Sequence, residues 1–333
     1  MIATPPPCCG VTSAVWRDGR LTADHLTDLP ASLDAAPGDL VWLDLCAPTP
    51  EQLDRLADLG LDPHSLEDTT APQERPKTMR YAGYSFSTVY AVALAPGDTR
   101  RLRLSRISAY ALPHHLITVR RDDGFDMTPV VQRWADDENL VRFGVDGLLH
   151  GLLDVVIDGH FDVMQALDDE AEGLVDTLFA DKPSLDTLQR RTFTVRRELV
   201  VLRRVVPPMR DVVATLIRDG QGRRAWPVPL ISYYEDLDDH VLRASEWCDG
   251  LRDLLANIFE TSLALNDKQM NEAMKKVGGV AAIIAVPTLI TGWYGQNVPY
   301  WGFSTTAGFI SSGVLVVLGV VGLYILFRRK NWL

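Results

Sequence analysis

Val277-Gly278-Gly279-Val280-Ala281-Ala282-Ile283-Ile284-Ala285-Val286-Pro287-Thr288-Leu289-Ile290-Thr291-Gly292-Trp293 opens a run that holds no Asp, Glu, Lys, Arg or His up to and including Phe327. Charged residues make up 23% of the whole chain, so this run stands apart from everything before it. A bilayer accounts for it, because a charge at the membrane centre is costly. The run divides into two spans, 277–293 and 307–327, joined by a short uncharged segment, 294–306. The first span is at the short end for crossing, and Met274 extends it. Lys268, Lys275 and Lys276 precede the first span, and Arg328, Arg329 and Lys330 follow the second. By the positive-inside rule both flanks face the cytoplasm and the 294–306 loop faces outward. The N-terminal part and both termini are then expected in the cytoplasm, on a multi-pass protein of the plasma or inner membrane. Met1 to Pro7 have neither a basic nor an apolar region, so no signal peptide is expected.

Upstream, the apolar residues Leu237, Val241, Trp247, Leu251, Leu254, Leu255, Ile258, Phe259 and Leu263 recur among charged ones as on an amphipathic helix, with no proline between Pro229 and Pro287. This predicts one long amphipathic helix that enters the membrane, a stalk of about 90 Å at 1.5 Å per residue. A helix of that length needs partners along its course, which points to an oligomer. Residues 151–276 read as helical throughout, with breaks at Gly220-Gln221-Gly222 and Pro227-Val228-Pro229.

Residues 1–150 mix strand and helix signals. Leu40-Val41-Trp42-Leu43-Asp44-Leu45 reads as a buried strand, followed by Thr49 as helix N-cap and Pro50 as first helical residue. Tyr84 to Val92 and Leu116 to Val119 are β-branched and aromatic, as strands are. The expected fold is an α/β cytoplasmic domain (1–150), a helical region with the stalk (151–276) and a two-helix membrane part with a basic tail (277–333). Cys8, Cys9, Cys46 and Cys248 are few and scattered, which argues against a disulfide framework and suits a reducing compartment. The net charge of −11, with clusters such as Asp168-Asp169-Glu170, disfavours nucleic acid as a partner.

No phosphate-binding G-x-x-x-x-G-K-[ST] string and no nucleophile constellation occurs, so an enzyme is not expected. His114 and His115 lie in strand-like sequence, where neighbours point to opposite faces and cannot share a metal. Pro287 interrupts the first span, and Thr288 follows it as a polar group suited to the freed backbone or to water.

At Tyr294-Gly295-Gln296-Asn297, directly after the first span, the chain resembles the CorA family of magnesium and cobalt transporters, which end this helix with Tyr-Gly-Met-Asn. The likeness extends to Leu66-Glu67-Asp68, to Gln73-Glu74-Arg75-Pro76-Lys77 and to Tyr233-Tyr234-Glu235-Asp236-Leu237-Asp238-Asp239-His240. It also covers Asn271-Glu272-Ala273-Met274-Lys275 and the basic tail Arg328-Arg329-Lys330-Asn331-Trp332-Leu333. The resemblance implies a funnel-shaped homopentamer whose first spans line one central pore. By position, Asn271, Met274, Val277 and Thr288 would line or gate it, and Gly295, Gln296 and Asn297 would form the outer selectivity filter. It further implies a regulatory divalent cation held between subunits by Asp68 and Asp236. The chain departs from the family where Gln296 replaces methionine and Val298-Pro299-Tyr300 replaces a loop with a glutamate.

The function implied is uptake of divalent cations, Mg²⁺ first and Co²⁺ or Ni²⁺ beside it, with no cofactor other than Mg²⁺ as transported and regulatory ion. Magnesium sheds its waters reluctantly, so neutral oxygens such as the Asn297 amides suit its hydrated form. A divalent cation moving down the membrane potential gains roughly 4.6 kcal/mol per 100 mV, which suffices without ATP. The alternatives are a zinc transporter of the same superfamily and, from another class, a membrane-anchored sensor or scaffold.

Overall fold

The computed structural model describes residues 10–24, 38–72, 74–95, 102–180, 184–296, 299, 302–330 and 332. The chain forms two compact units, Met1–Lys182 with Arg190–Ala256, and Pro183–Gln189 with Asn257–Leu333.

The first unit is built on a seven-stranded sheet in the order β2-β1-β3-β7-β6-β5-β4. Its strands are β1 (Val11–Arg17), β2 (Arg20–Asp24), β3 (Leu40–Cys46), β4 (Lys77–Arg80), β5 (Ser85–Leu94), β6 (Leu102–Ala111) and β7 (His115–Arg120). Among the described strands β3 and β7 pair in parallel and the other pairs are antiparallel. β1 and β2 form a hairpin whose turn residues Asp18 and Gly19 both have positive φ, 51° and 76°. That matches the twist of the flanking strands.

Both faces of the sheet are covered, which is why β3 is an almost unbroken apolar run. On one face Leu43, Leu45, Phe86, Tyr110 and Ile117 pack with Leu56 and Leu61, beside α1 (Pro50–Ala57) and α2 (Pro63–Thr70). As expected, Thr49 caps α1, in a capping box with Gln52. On the other face Trp42, Val89, Ile107 and Leu116 meet residues of α3 (Thr128–Asp136), α4 (Glu138–Arg142), α5 (Val145–Leu178), α7 (Val206–Gln221) and α8 (Val228–Tyr294). The helix α6 (Leu185–Leu202) follows α5. The side chains of Glu170 and Arg191 approach to 3.8 Å between these two helices.

Three buried side chains pin helices to main-chain atoms far away in sequence. His160 Nε2 lies 2.7 Å from the Tyr90 carbonyl, His150 Nε2 lies 3.0 Å from the Tyr233 carbonyl, and Glu198 accepts from the Leu102 N–H at 2.9 Å. Asp44, in the middle of β3, is paired with Arg120 at 2.6 Å and accepts from Thr118. Cys46, at the end of β3, is buried. Cys248 is free and buried.

α8 is a single helix of 67 residues. Its buried positions Leu230, Tyr234, Leu237, Val241, Ala244, Cys248, Leu251, Leu255 and Ile258 alternate in spacings of four and three. From Leu263 onward most of its residues are exposed. The distal part of α8 and α9 (Thr306–Arg329) are long and apolar enough to cross a membrane.

Candidate ion pathway and regulatory carboxylates

Along distal α8, Met274, Val277, Ala281, Ile284, Thr288, Thr291 and Gly295 follow one another at spacings of three and four, and all are exposed. At 100° per residue they form one stripe on the helix. The opposite side is turned to α9. There Gly279 is buried and Tyr294 Oη lies 3.3 Å from Ser311 Oγ. A Cβ on Gly319 of α9 would stand 2.6 Å from Val286 Cγ1, so glycine is what lets the two helices approach at that level. Four of the residues expected to line or close a pore (Met274, Val277, Thr288 and Gly295) thus share a face free of intrachain contacts with α9. Asn271 flanks this stripe beside Met270, which continues its spacing. A shallow groove is lined by Ala281, Ile284 and Thr288 of the stripe together with Ala285, Leu289 and Val286, the last of which also faces α9.

Thr288 Oγ1 donates to the Ile284 carbonyl at 3.0 Å. The carbonyl left without its helical donor by Pro287 is that of Ile283, so Thr288 does not serve it. Thr291 Oγ1 instead bonds the Pro287 carbonyl at 2.8 Å. Both are bonds to the carbonyl four residues back, so the two hydroxyl protons are satisfied on α8 itself.

The end of α8 is closed by the Gly295 N–H, which donates to the Thr291 carbonyl at 2.9 Å. A Cβ at Gly295 would lie 2.9 Å from that same oxygen. Glycine is required here by close approach and not by a left-handed conformation. Gln296 follows, exposed, its N–H 3.3 Å from the Trp293 carbonyl. Asn297 lies outside the described residues.

Asp68 sits in the last turn of α2 and is ion-paired to Lys77, Nζ to Oδ2 2.7 Å, while Lys77 also lies 3.1 Å from Glu74 Oε1. Burial lowers the pKa of Lys77, but the hydrogen bonds and charges of Asp68 and Glu74 outweigh it, so the ammonium is held above its usual range. Asp236 is exposed on α8, with His240 Nε2 at 3.7 Å. Among the described residues nothing within one chain joins Asp68 to Asp236, and no cluster of three His, Cys, Asp or Glu is arranged to hold a metal. Near His240, burial and then the charge of Asp154 hold the Asp158 carboxyl above its usual range. Lys77 and Glu74 carry no role in the reading of the sequence. The signal for them was the basic residue inside the segment that follows Asp68.

The description "CorA-like Mg2+ transporter protein" belongs to a family that matches residues 37–329. The cobalt/magnesium transport protein CorA of Thermotoga maritima is 27% identical over 289 residues, covering 82% of this chain and 77% of that protein. The zinc transport protein ZntB of Yersinia enterocolitica is 24% identical over 306 residues, covering 88% of each. Among solved structures, the complete CorA magnesium transporter of Methanocaldococcus jannaschii superposes with a TM-score of 0.76 at 23% identity, covering 100% of both chains. With an α/β unit, a long helix whose distal part is apolar and a second apolar helix after it, the chain belongs to the CorA-like family of divalent metal cation transporters.

Proposed function

We propose that the chain conducts Mg²⁺, with Co²⁺ and Ni²⁺, into the cytoplasm through a pore walled by the distal α8 helices of five copies. The observation that carries this reading is the exposed stripe from Met274 to Gly295, opposite the side that meets α9. Alone in lipid, the stripe would turn two threonine hydroxyls and a groove toward hydrocarbon. Repeated around an axis, it walls a passage whose polar end is at Thr288, Thr291 and Gly295 and whose apolar end is at Met274 and Val277.

Neither end offers a carboxylate, which suits passage of a hydrated cation without trapping it. Asn297 amides, with Gly295 and Gln296, form the outer filter. Asn271, Met274 and Val277 form the inner constriction, and the basic segments around Lys275 and Arg329 keep both flanks of the hairpin in the cytoplasm. A divalent cation between Asp68 of one copy and Asp236 of the next closes the pore when the cytoplasmic concentration is high. The membrane potential drives uptake, and no catalysed reaction is involved.

Zinc is the second reading. Gln296 and the segment after it depart from the magnesium pattern, and a zinc transporter is among the relatives. Purified protein in liposomes with a cation-sensitive dye, given Mg²⁺, Co²⁺, Ni²⁺ or Zn²⁺ under an inside-negative potential, tests both. Mg²⁺ flux supports the first reading, Zn²⁺ flux alone replaces it with the second, and no flux of any divalent cation rejects both.

A further inference from the structure

Two exposed helix faces in the first unit have no partner among the described residues. On α5, Asp162, Asp169, Glu172 and Asp176 lie in one stripe, each exposed, with Phe179 at its end 73% exposed. Asp169 accepts from Gln165 at 2.8 Å, and among the described residues Asp162, Glu172 and Asp176 form no ion pair. Asp169, Glu172 and Asp176 are three and four apart, so their charges repel along the helix.

On α6 and the turn that ends it, Arg190, Phe193, Arg197, Val200 and Arg204 also lie at spacings of three and four, all exposed. Phe193 is 67% and Val200 45% exposed, each standing between two arginines. Arg197 reaches only its neighbour Glu198, at 3.1 Å, and among the described residues Arg190 and Arg204 form no ion pair. An exposed aromatic between arginines has the composition of a protein interface.

The two stripes match in sign and in length. Asp162 to Asp176 and Arg190 to Arg204 are each about 21 Å at 1.5 Å per residue. Both start near the α5–α6 connection. They cannot satisfy each other within one chain, because α5 and α6 already meet through Glu170 and Arg191, which lie off the two stripes.

We propose that α6 of one copy docks on α5 of the next, arginine stripe against carboxylate stripe, with Phe193 and Val200 in the seam. The contact is head-to-tail, so each copy offers one stripe to either neighbour, as a closed ring requires. This rests on the oligomeric part of the function proposed above, and it names a contact that such a pore does not itself demand. Single surface ion pairs contribute little, but a row of like charges facing its own sign suppresses the wrong pairing strongly.

The test uses two full-length variants with different tags. One carries Arg190→Glu, Arg197→Glu and Arg204→Glu, and the other carries Asp169→Lys, Glu172→Lys and Asp176→Lys. All six positions are exposed, and circular dichroism checks that each variant folds. Expressed singly, each should lose most of its oligomer in detergent. Expressed together, they match at up to four of the five contacts of a five-membered ring and should co-purify as mixed oligomers about tenfold above the statistical share, the ratio that about 1.4 kcal/mol supports. Charge-neutral Arg190→Gln with Arg197→Gln should give a partial loss and no preference for either partner. Free mixing in statistical proportion, or no gain of oligomer when the two reversed variants are expressed together, overturns the proposal. A wild-type chain that is monomeric in light scattering would instead reject the oligomeric reading on which it rests.

Discussion

Lys77 Nζ stands 2.7 Å from Asp68 Oδ2 and 3.1 Å from Glu74 Oε1, so the carboxylate proposed to hold a regulatory cation already has a cation from its own chain. A divalent ion arriving from outside must compete with that ammonium or share the carboxylate with it. Lys77→Met should therefore lower the cation concentration that half-inhibits transport, by roughly three- to tenfold given the partly exposed pair. Asp68→Ala with Asp236→Ala should abolish inhibition. Current recorded against internal Mg²⁺ reads both, and an unchanged midpoint in Lys77→Met would show that the lysine does not contend for the site.

Asn297→Ala should abolish cation flux while the protein still inserts and folds. Gly295→Ala should damage flux by another route, since its methyl would stand 2.9 Å from the Thr291 carbonyl and force the end of α8 to open. Flux assays on matched amounts of reconstituted protein check both, and normal transport by Asn297→Ala removes the filter role.

His160 is fully enclosed, and burial lowers its pKa to about 4 although the bond to the Tyr90 carbonyl works the other way. In the unfolded chain it takes a proton near pH 6.5. The neutral ring's contribution is therefore complete above pH 6.5 and is lost as the pH falls toward 4. The loss amounts to about 3 kcal/mol across that window. Thermal unfolding of wild type and His160→Gln at pH 7.5 and pH 4.5 isolates it. The variant should be less stable at the higher pH and lose less on acidification.

Arg224 joins the Asp146 carboxylate, Asp219 at 3.2 Å, Ser85 Oγ at 3.0 Å and the Ala111 carbonyl at 3.1 Å. Asp219 is 2% exposed, and burial already holds Asp146 above the usual carboxylate range. Arg224→Met leaves two buried carboxylates without this partner and should cost about 3–5 kcal/mol. Tryptophan fluorescence is a suitable probe, because Trp226 Nε1 donates to Asp146 at 2.6 Å.

The membrane hairpin and the long helix were legible because lipid and helical periodicity each impose a pattern on contiguous residues. β3, β5 and β7 were legible for the same reason, as local apolar runs. The β1–β2 hairpin was missed although Asp18-Gly19 is a recognised turn signal, since the flanking strands are short and hold Arg17 and Arg20. The partners of Asp68 were hidden differently. Lys77 reaches it only after α2 ends and the chain turns into β4, a geometry that no spacing rule encodes. Buried polar groups such as Asp44, His160 and Glu198 look like surface residues in a sequence, and only the tertiary structure reveals what they bond.

The three long-range pins end on carbonyl and N–H groups of Tyr90, Tyr233 and Leu102, not on those residues' side chains. A main-chain atom survives nearly any substitution at its position, so each pin needs one residue to be kept rather than a matched pair. Divergence on the receiving side is close to free, which helps a chain 27% identical to a relative keep one architecture.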